Sequence, residues 1–507
     1  MPLNRSVLRR SAAALGATAV AVALASCSSA PSGSEPAAEA DPDAAVRVGL
    51  VLEPTSLDIR HTSGAALEQV LVDNVYQGLV TRTPEGEIMP ALATEWQISD
   101  DGLTYTFPLH EGVEFHGGGE LTASDVVASL TEVAQDETFE GHAELAGIEG
   151  IAETEGGAGV EITLAQPDQN FLFSLSGPAG LVFDEGDATD LKTAANGTGP
   201  FALDEWRQGD GITLTRFDGY WGEAAGVAEV DVSYIPDANA LVNGLLSGEL
   251  DAVTPVQADL LPQVEGAGDF EVVRGRTTDK YVLGFNNTAA PLDDVRVREA
   301  LRLAIDHDAL VETIGQGVTQ YGPIPELDPG YEDLSDVAPF DPERAEELLS
   351  EAGASGLSLT LTVPNVYPTS LSNFLVSAFQ DIGVELEVDS VEFSAWLNDV
   401  YTNGDYELSI VNHVEPRDVG NFADPDYYFH YDSDTVQQLY AEAMAATDVE
   451  ESNVLLAEVG RQVSEDHAAD WLYTAEQITA LAPGVAGFPV DSLNARLPLA
   501  GVTYTGP

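Results

Sequence analysis

The sequence holds one cysteine and few cations. Cys27 stands alone in 507 residues, which excludes an internal disulfide bond. Lysine occurs only at Lys192 and Lys280, and lysine and arginine together number 19 against 86 aspartates and glutamates. A formal net charge of −67 repels nucleic acid and anionic lipid surfaces, so we expect no nucleic acid partner. The acid excess suits either a protein that faces concentrated salt, which screens repulsion, or a genome that favours acidic residues.

Motifs of catalysis and of metal or phosphate binding are absent from the sequence. It contains no Gly-x-Ser-x-Gly elbow, no Gly-x-x-x-x-Gly-Lys phosphate loop and no His-Glu-x-x-His zinc motif. The eight histidines are scattered, and His116 is predicted to be structural. Because carboxylates are abundant everywhere, a pair of them does not indicate a catalytic site. We therefore predict that the chain is not an enzyme and that it needs no cofactor and no metal.

The N-terminal residues have the layout of a secretory signal. Arg5, Arg9 and Arg10 precede an apolar run over 12–24. That run is shorter than the ~20 residues that cross a bilayer as a helix. Residues 1–26 are therefore predicted to be a signal peptide and the protein to be exported.

The signal ends in the residues Leu-Ala-Ser-Cys at 24–27. This ending resembles a bacterial lipobox, in which the cysteine thiol is acylated and becomes the new N-terminus. The resemblance implies lipid attachment at Cys27; the alternative is an ordinary cleavage nearby with an idle cysteine. The following stretch to residue 44 is rich in Ser, Pro, Ala and acid, which predicts a flexible tether over 27–44.

The remainder, about 480 residues, is too long for one core, so two or three domains are expected. Alternating and apolar runs predict strands over 46–52, 104–109, 159–164, 211–216, 230–235, 280–285, 357–363 and 384–388. Helical spacing and capping patterns predict helices over 66–78, 122–132, 293–306, 341–352, 368–382 and 433–446. The mixture predicts an α/β protein with helices packed on sheets. The glycines of 197–199 predict a tight backbone crossing, since no lysine follows to make a phosphate loop.

Several separated blocks then point to one family. They include 75–79 (VYQGL), 90–96 (PALATEW), 98–107 (ISDDGLTYTF), 109–116 (LHEGVEFH), 121–127 (LTASDVV), 197–201 (GTGPF), 220–222 (YWG), 294–301 (DVRVREAL), 304–306 (AID) and 341–345 (DPERA). Together they resemble the family 5 (oligopeptide, dipeptide and nickel) substrate-binding proteins of ABC importers. The blocks follow the order of that family over nearly the whole mature chain.

The resemblance implies a periplasmic-binding-protein-like clamp of two lobes (type II, cluster C-like) with an extra subdomain in the first lobe. The first lobe would comprise 45–285, with the subdomain at about 86–194, and a C-terminal return over 475–507. The second lobe would comprise 286–474, and residues 286–291 would carry one chain crossing. Closure of the lobes around a ligand is the expected motion.

The resemblance also implies a function and its partners. The protein would capture di- or oligopeptides for the permease subunits of an ABC importer, as a monomer anchored by lipid on the outer face of the cell membrane. Within the same fold, a nickel complex, haem or an oligosaccharide remain alternatives. A surface enzyme or interaction protein built on the same scaffold is the alternative of another class.

In peptide-binding members of the family, an aspartate a few residues before an Asn-Phe pair holds the peptide's ammonium group. Counting back from Asn421 and Phe422 places Glu415 on that aspartate, but the alignment slips by one residue, so Asp418 remains a competitor. Arg417 either meets the ligand carboxylate through two hydrogen bonds or pairs with one of these acids.

The resemblance supplies further candidates upstream. Phe393 matches a ligand-stacking position, and Trp396 either flanks the ligand or packs in the core. His413 replaces the family's usual tryptophan and either lines the pocket or serves a haem or metal ligand. The predicted ligand-binding residues are thus Phe393, Trp396, His413, Glu415, Arg417, Asp418 and Asn421.

Overall fold

The computed structural model describes residues 40–493 and 496–506, so the predicted signal peptide and Cys27 lie outside the described residues. Its strands are Ala45–Leu50 (β1), Val80–Arg82 (β2), Ile88–Pro90 (β3), Gln97–Ile98 (β4), Thr104–Pro108 (β5), Ile148–Glu153 (β6), Gly159–Leu164 (β7), Phe201–Arg207 (β8), Gly211–Arg216 (β9), Glu229–Tyr234 (β10), Ala252–Val253 (β11), Glu271–Phe285 (β12), Val318–Thr319 (β13), Ser358–Pro364 (β14), Glu385–Val391 (β15), Leu408–His413 (β16), Ala469–Leu481 (β17), Val485–Ala486 (β18) and Thr503–Tyr504 (β19).

The α-helices are Ala65–Leu71 (α1), Ala123–Gln135 (α2), His142–Leu145 (α3), Phe171–Leu175 (α4), Ala238–Ser247 (α5), Leu261–Glu265 (α6), Val295–Leu303 (α7), His307–Ile314 (α8), Pro342–Ala352 (α9), Thr369–Asp381 (α10), Phe393–Trp396 (α11), Asp434–Ala445 (α12) and Val449–Glu465 (α13). A π-helical segment, Leu397–Thr402, follows α11, and a 3₁₀ helix covers Asp418–Ala423. In the part of the chain that the structure describes, no helix has the length and apolarity to cross a membrane.

One mixed sheet connects the two lobes. Its strands lie in the order β15-β14-β16-β12-β17-β11-β1-β10-β9-β8, and β13 pairs with β17. A separate four-stranded sheet, β4-β5-β7-β6, forms the subdomain of the first lobe. The arrangement is the α/β clamp with an added subdomain that the sequence predicted.

The long strands β12 and β17 carry the chain between the lobes. Their ladder pairs Glu271 with Leu481 at one end and Gly284 with Ala469 at the other, with a shift of register between Arg276 and Lys280. From Lys280 onward β12 also pairs with β16 of the second lobe, whereas β17 pairs with β11 of the first lobe. The predicted lobe boundaries remain a prediction; the neighbours of β12 change before residue 286.

Buried apolar side chains form separate cores. Those of the first lobe come from 46–76, from 181–264 and from 478–502. Those of the subdomain lie within 79–182, and those of the second lobe lie within 282–473. Each lobe therefore buries its own apolar surface, and the β12–β17 ladder is common to both.

Local sequence signals explain the boundaries of two helices. The Asp341 side chain accepts a hydrogen bond from the backbone N–H of Arg344, and Gly353 ends α9 at φ 73°. In α2, Thr122 and Asp125 form the predicted capping box. Both motifs satisfy backbone groups that a helix end leaves unpaired.

The predicted helix over 66–78 is wrong in its second half. Helix α1 ends at Leu71, and Asp73 adopts a left-handed conformation at φ 62°. The Asp73 carboxylate accepts a hydrogen bond from the Thr81 hydroxyl and pairs with Arg496. These long-range contacts replace the next helical turn.

The glycines of 197–199 form the tight crossing that the sequence predicted. A Cβ atom on Gly197 would lie 1.9 Å from the carbonyl oxygen of Val75, and one on Gly199 would lie 2.4 Å from that of Asn74. Both distances are far inside van der Waals contact, so only glycine lets the two segments approach.

We expect Gly197→Ala to lower the free energy of unfolding by about 1–3 kcal/mol, because backbone must move to admit the methyl group. Urea denaturation of the mature protein measures the change. Gly147→Ala is the matched control, since a Cβ there meets no atom of the described residues within 4 Å. Equal free energies of unfolding for the two variants would contradict the claim that the crossing requires glycine at position 197.

Candidate functional site

A cavity of about 490 Å³ lies at one end of β16, on the second lobe. The described residues that line it are Trp396, Leu397, Tyr401, Val411, Asn412, His413, Glu415, Pro416, Asp418, Asn421, Tyr427 and Tyr428. We call it the cleft cavity. The structure thus brings Trp396, His413, Glu415, Asp418 and Asn421 of the predicted set together.

Glu415 is an exposed carboxylate of the cleft cavity, and its charge acts on the half-buried carboxylate of Asp279, which is not among the described residues that line the cavity. Burial raises the pKa of Asp279, on β12, to about 6; Lys280 opposes the rise and the charge of Glu415 adds to it. Asp279 was not predicted as a site residue, because the strand predicted over 280–285 began one residue after it. Each of two like charges disfavours the ionised form of the other, so a cation near them would stabilise both carboxylates.

Asp418 is the second predicted ammonium ligand, and it already has a cation. Its Oδ1 lies 2.6 Å from the Lys280 ammonium, and both side chains are almost fully buried. The other oxygen contacts Nδ1 of His413 at 3.1 Å, and His413 Nε2 contacts the Tyr428 hydroxyl at 2.9 Å. Burial alone would raise the pKa of Asp418, but Lys280 and His413 hold it below its ordinary value.

Asp418 and His413 therefore have a structural role beneath the cavity. Lys280 was not identified from the sequence as a site residue, although it is one of only two lysines in an acidic chain. The scarcity of lysine could have marked Lys280 as a candidate residue. It could not have shown which of the 86 acids Lys280 pairs with.

The Arg417 side chain contacts residues other than Glu415 and Asp418, the acids with which it was predicted to pair if it did not bind the ligand. Arg417 takes a left-handed conformation at φ 59°, and its backbone N–H donates to the buried Asp328 carboxylate at 2.7 Å. Its Nη1 donates to Asn170 Oδ1 at 3.0 Å, and its guanidinium lies 4.1 Å from the ring centroid of Phe173. Arg417 therefore joins the second lobe to the subdomain, and burial lowers its pKa to about 10.

The two predicted aromatic residues, Phe393 and Trp396, differ in burial. Trp396 is 3% exposed and its indole N–H donates to the Ser409 hydroxyl at 2.8 Å, so it packs in the core while also lining the cavity. Phe393 is 43% exposed and stacks parallel to Trp396 with centroids 5.8 Å apart. The tyrosines of the lining were not predicted, because they come from segments without a recognisable pattern.

Comparisons with known proteins agree with this geometry. Residues 87–439 match the family described as bacterial extracellular solute-binding proteins, family 5 Middle. The glutathione-binding protein GsiB of Salmonella typhimurium is 30% identical over 370 residues, which make up 70% of this chain and 71% of that protein.

Solved structures share the fold. HbpA2 from Haemophilus parasuis superposes with a TM-score of 0.82 at 21% identity, covering 91% of this chain and 100% of that one. The periplasmic binding protein DppA from Helicobacter pylori, in complex with the peptide STSA, gives a TM-score of 0.74 at 22% identity, covering 92% and 98%. At these identities the likeness concerns the fold alone.

We expect Lys280→Met to lower the free energy of unfolding by about 3–5 kcal/mol, because it leaves the Asp418 carboxylate buried without its cation. Asp418→Leu should be similarly costly, whereas the double variant should cost clearly less than the sum of the two. Chemical denaturation of the four proteins measures the coupling.

An exposed pair provides the control for that cycle. Arg461 lies 2.5 Å from Glu332 at the surface, and Glu332→Gln should change stability by less than about 1 kcal/mol. Additive effects of the Lys280 and Asp418 substitutions would show that the two side chains do not depend on each other.

Proposed function

The chain belongs to the bacterial extracellular solute-binding proteins of family 5, the substrate-binding components of ABC importers, and from this premise we propose that its cargo is a peptide. The peptide's free ammonium group pairs with Glu415 at the cleft cavity. The lobes close over the bound peptide, and the protein delivers it to the permease as a monomer, without catalysis.

The observation that carries the proposal is the unequal state of the carboxylates around the cavity. Asp418 is neutralised by Lys280, whereas Glu415 is exposed and its charge acts on the half-buried Asp279. An ammonium group brought into the closing cleft would relieve the repulsion between these two acids. A charged hydrogen bond of this kind gains strength as water leaves the cleft.

One relative supports a peptide over other cargo. GsiB is named for glutathione, which is a peptide. A peptide offers an ammonium group that can pair with the exposed Glu415 carboxylate. The predicted role of Arg417 at the ligand carboxylate is replaced in our proposal by its contacts with Asn170 and Phe173.

We expect Glu415→Gln to weaken binding of a free peptide by about 2–5 kcal/mol, because it removes the charge that compensates the ammonium. This corresponds to roughly 30- to several-thousand-fold in Kd. N-acetylation of the same peptide should weaken binding to the unaltered protein by a similar factor. Calorimetry with both peptides and both proteins gives the four affinities.

The two changes should not add, since both remove one interaction. Glu111→Gln, at an exposed glutamate outside the cavity lining, is the matched control and should leave Kd unchanged. Equal affinity of the unaltered protein for the free and the acetylated peptide would contradict the proposed ammonium site.

We also propose that the exported protein is held at the membrane by a lipid on Cys27. The motivation is the apolar signal that ends in Leu-Ala-Ser-Cys. Cys27→Ala should then move the protein from the membrane pellet to the soluble fraction, whereas Ser28→Ala should leave it in the pellet. Retention of Cys27→Ala in washed membranes would refute the anchor.

A further inference from the structure

The subdomain contacts the second lobe through one short segment before and within α4. Gln169 donates from its backbone N–H to the carbonyl oxygen of Met444 at 3.1 Å, and its side-chain amide donates to the carbonyl oxygen of Ala446. The next residue, Asn170, accepts a hydrogen bond from Nη1 of Arg417 at 3.0 Å. Met444 and Ala446 lie at the C-terminal end of α12, so this segment holds two separate parts of the second lobe.

Arg417 lies in the turn that carries Glu415. The turn begins after His413, the last residue of β16, and ends at Asp418, and the side chains of these two residues contact each other at 3.1 Å. Pro416 limits the freedom of the turn, because its ring fixes φ. The position of the Glu415 carboxylate therefore depends on how this short turn is held.

The conformation of Arg417 requires contacts from outside the turn. Its φ of 59° is a left-handed value that residues with a Cβ atom seldom adopt and that persists where the surroundings determine it. The backbone N–H donates to Asp328 at 2.7 Å, and the guanidinium lies 4.1 Å from the ring centroid of Phe173 in α4. The guanidinium of Arg82 lies 4.2 Å from the same ring. The contacts that determine the turn thus come partly from the subdomain.

Neither Asn170 nor Phe173 is among the described residues that line the cleft cavity. Resting on the peptide proposal above, we infer that both are positioning residues for the ammonium site. They hold Arg417, and Arg417 holds the turn that presents Glu415 to the peptide's ammonium group. Because Asn170 belongs to the subdomain and Arg417 to the second lobe, the contact forms only when these two parts meet. It therefore links closure of the protein to the geometry of the ligand site.

The test measures Kd for a free peptide and for its N-acetylated form with Asn170→Ala, which removes the acceptor of the Arg417 hydrogen bond. We expect the free peptide to bind this variant about 2- to 30-fold more weakly than it binds the unaltered protein. The acetylated peptide should bind both proteins with similar affinity, because it has no ammonium group for a misplaced Glu415 to lose. Equal losses for the two peptides by calorimetry, or no loss for the free peptide, would overturn the inference.

Three further variants separate positioning from damage to the fold. Asn170→Asp keeps an oxygen acceptor for the guanidinium and should restore most of the affinity for the free peptide. Arg417→Met removes the donor and should reproduce the peptide-dependent loss, and the double variant with Asn170→Ala should lose little more. Asn373→Ala, at an exposed asparagine of α10 outside the cavity lining, is the matched control and should leave both affinities unchanged. A loss that Asn170→Asp does not restore, or that adds fully in the double variant, would contradict a role through Arg417.

The same measurements separate this inference from the function on which it rests. If acetylation weakens binding to the unaltered protein while Asn170→Ala and Arg417→Met leave the affinity for the free peptide unchanged, the peptide function stands and the positioning role falls. If free and acetylated peptides bind the unaltered protein equally, or no peptide binds, the ammonium site fails and the inference fails with it.

Discussion

Antiparallel pairing of β12 with β17 is the interaction on which the rest of the structure depends. The ladder runs from Glu271 opposite Leu481 to Gly284 opposite Ala469, and both lobes build their sheet outward from it. The shift of register between Arg276 and Lys280 falls where the neighbours of β12 change. Residues just beyond that shift are held by both strands, so their side chains are placed rigidly relative to each lobe.

Lys280 is the first paired residue beyond that shift, and Asp279 is the last residue within it. Adjacent residues on a strand point to opposite faces. Lys280 reaches Asp418 beneath the cavity, and Asp279 is left near Glu415. One short segment of β12 therefore neutralises Asp418 and carries a second carboxylate whose pKa responds to the charge of Glu415.

Several of the few cationic side chains lie in the interior. Besides Lys280, Arg298 is buried and donates to backbone carbonyl groups of Leu292, Asp466 and His467. Arg302 is 2% exposed and lies beside the buried Asp470. The acids are mostly left on the surface, where water and salt screen them. A large negative net charge is thus compatible with a packed core, because most acids lie at the surface and the buried cations contact buried acids or backbone carbonyl groups.

The sequence by itself determined the α/β class, the order of elements, the capped helices α2 and α9, the glycine crossing at 197–199 and the family. These depend on local periodicity, capping and backbone geometry, which neighbouring residues carry. The segment that the sequence predicted for the site lies at the cleft cavity, since Glu415, Asp418 and Asn421 all line it. Only the tertiary structure decided the state of each acid. Asp418 is neutralised by a lysine 138 positions away in the chain, Arg417 meets Asn170 at a separation of 247, and Tyr401 lies against Tyr428 although β16 comes between them in the chain. Charge compensation and burial act through space, so no local pattern in the sequence encodes them.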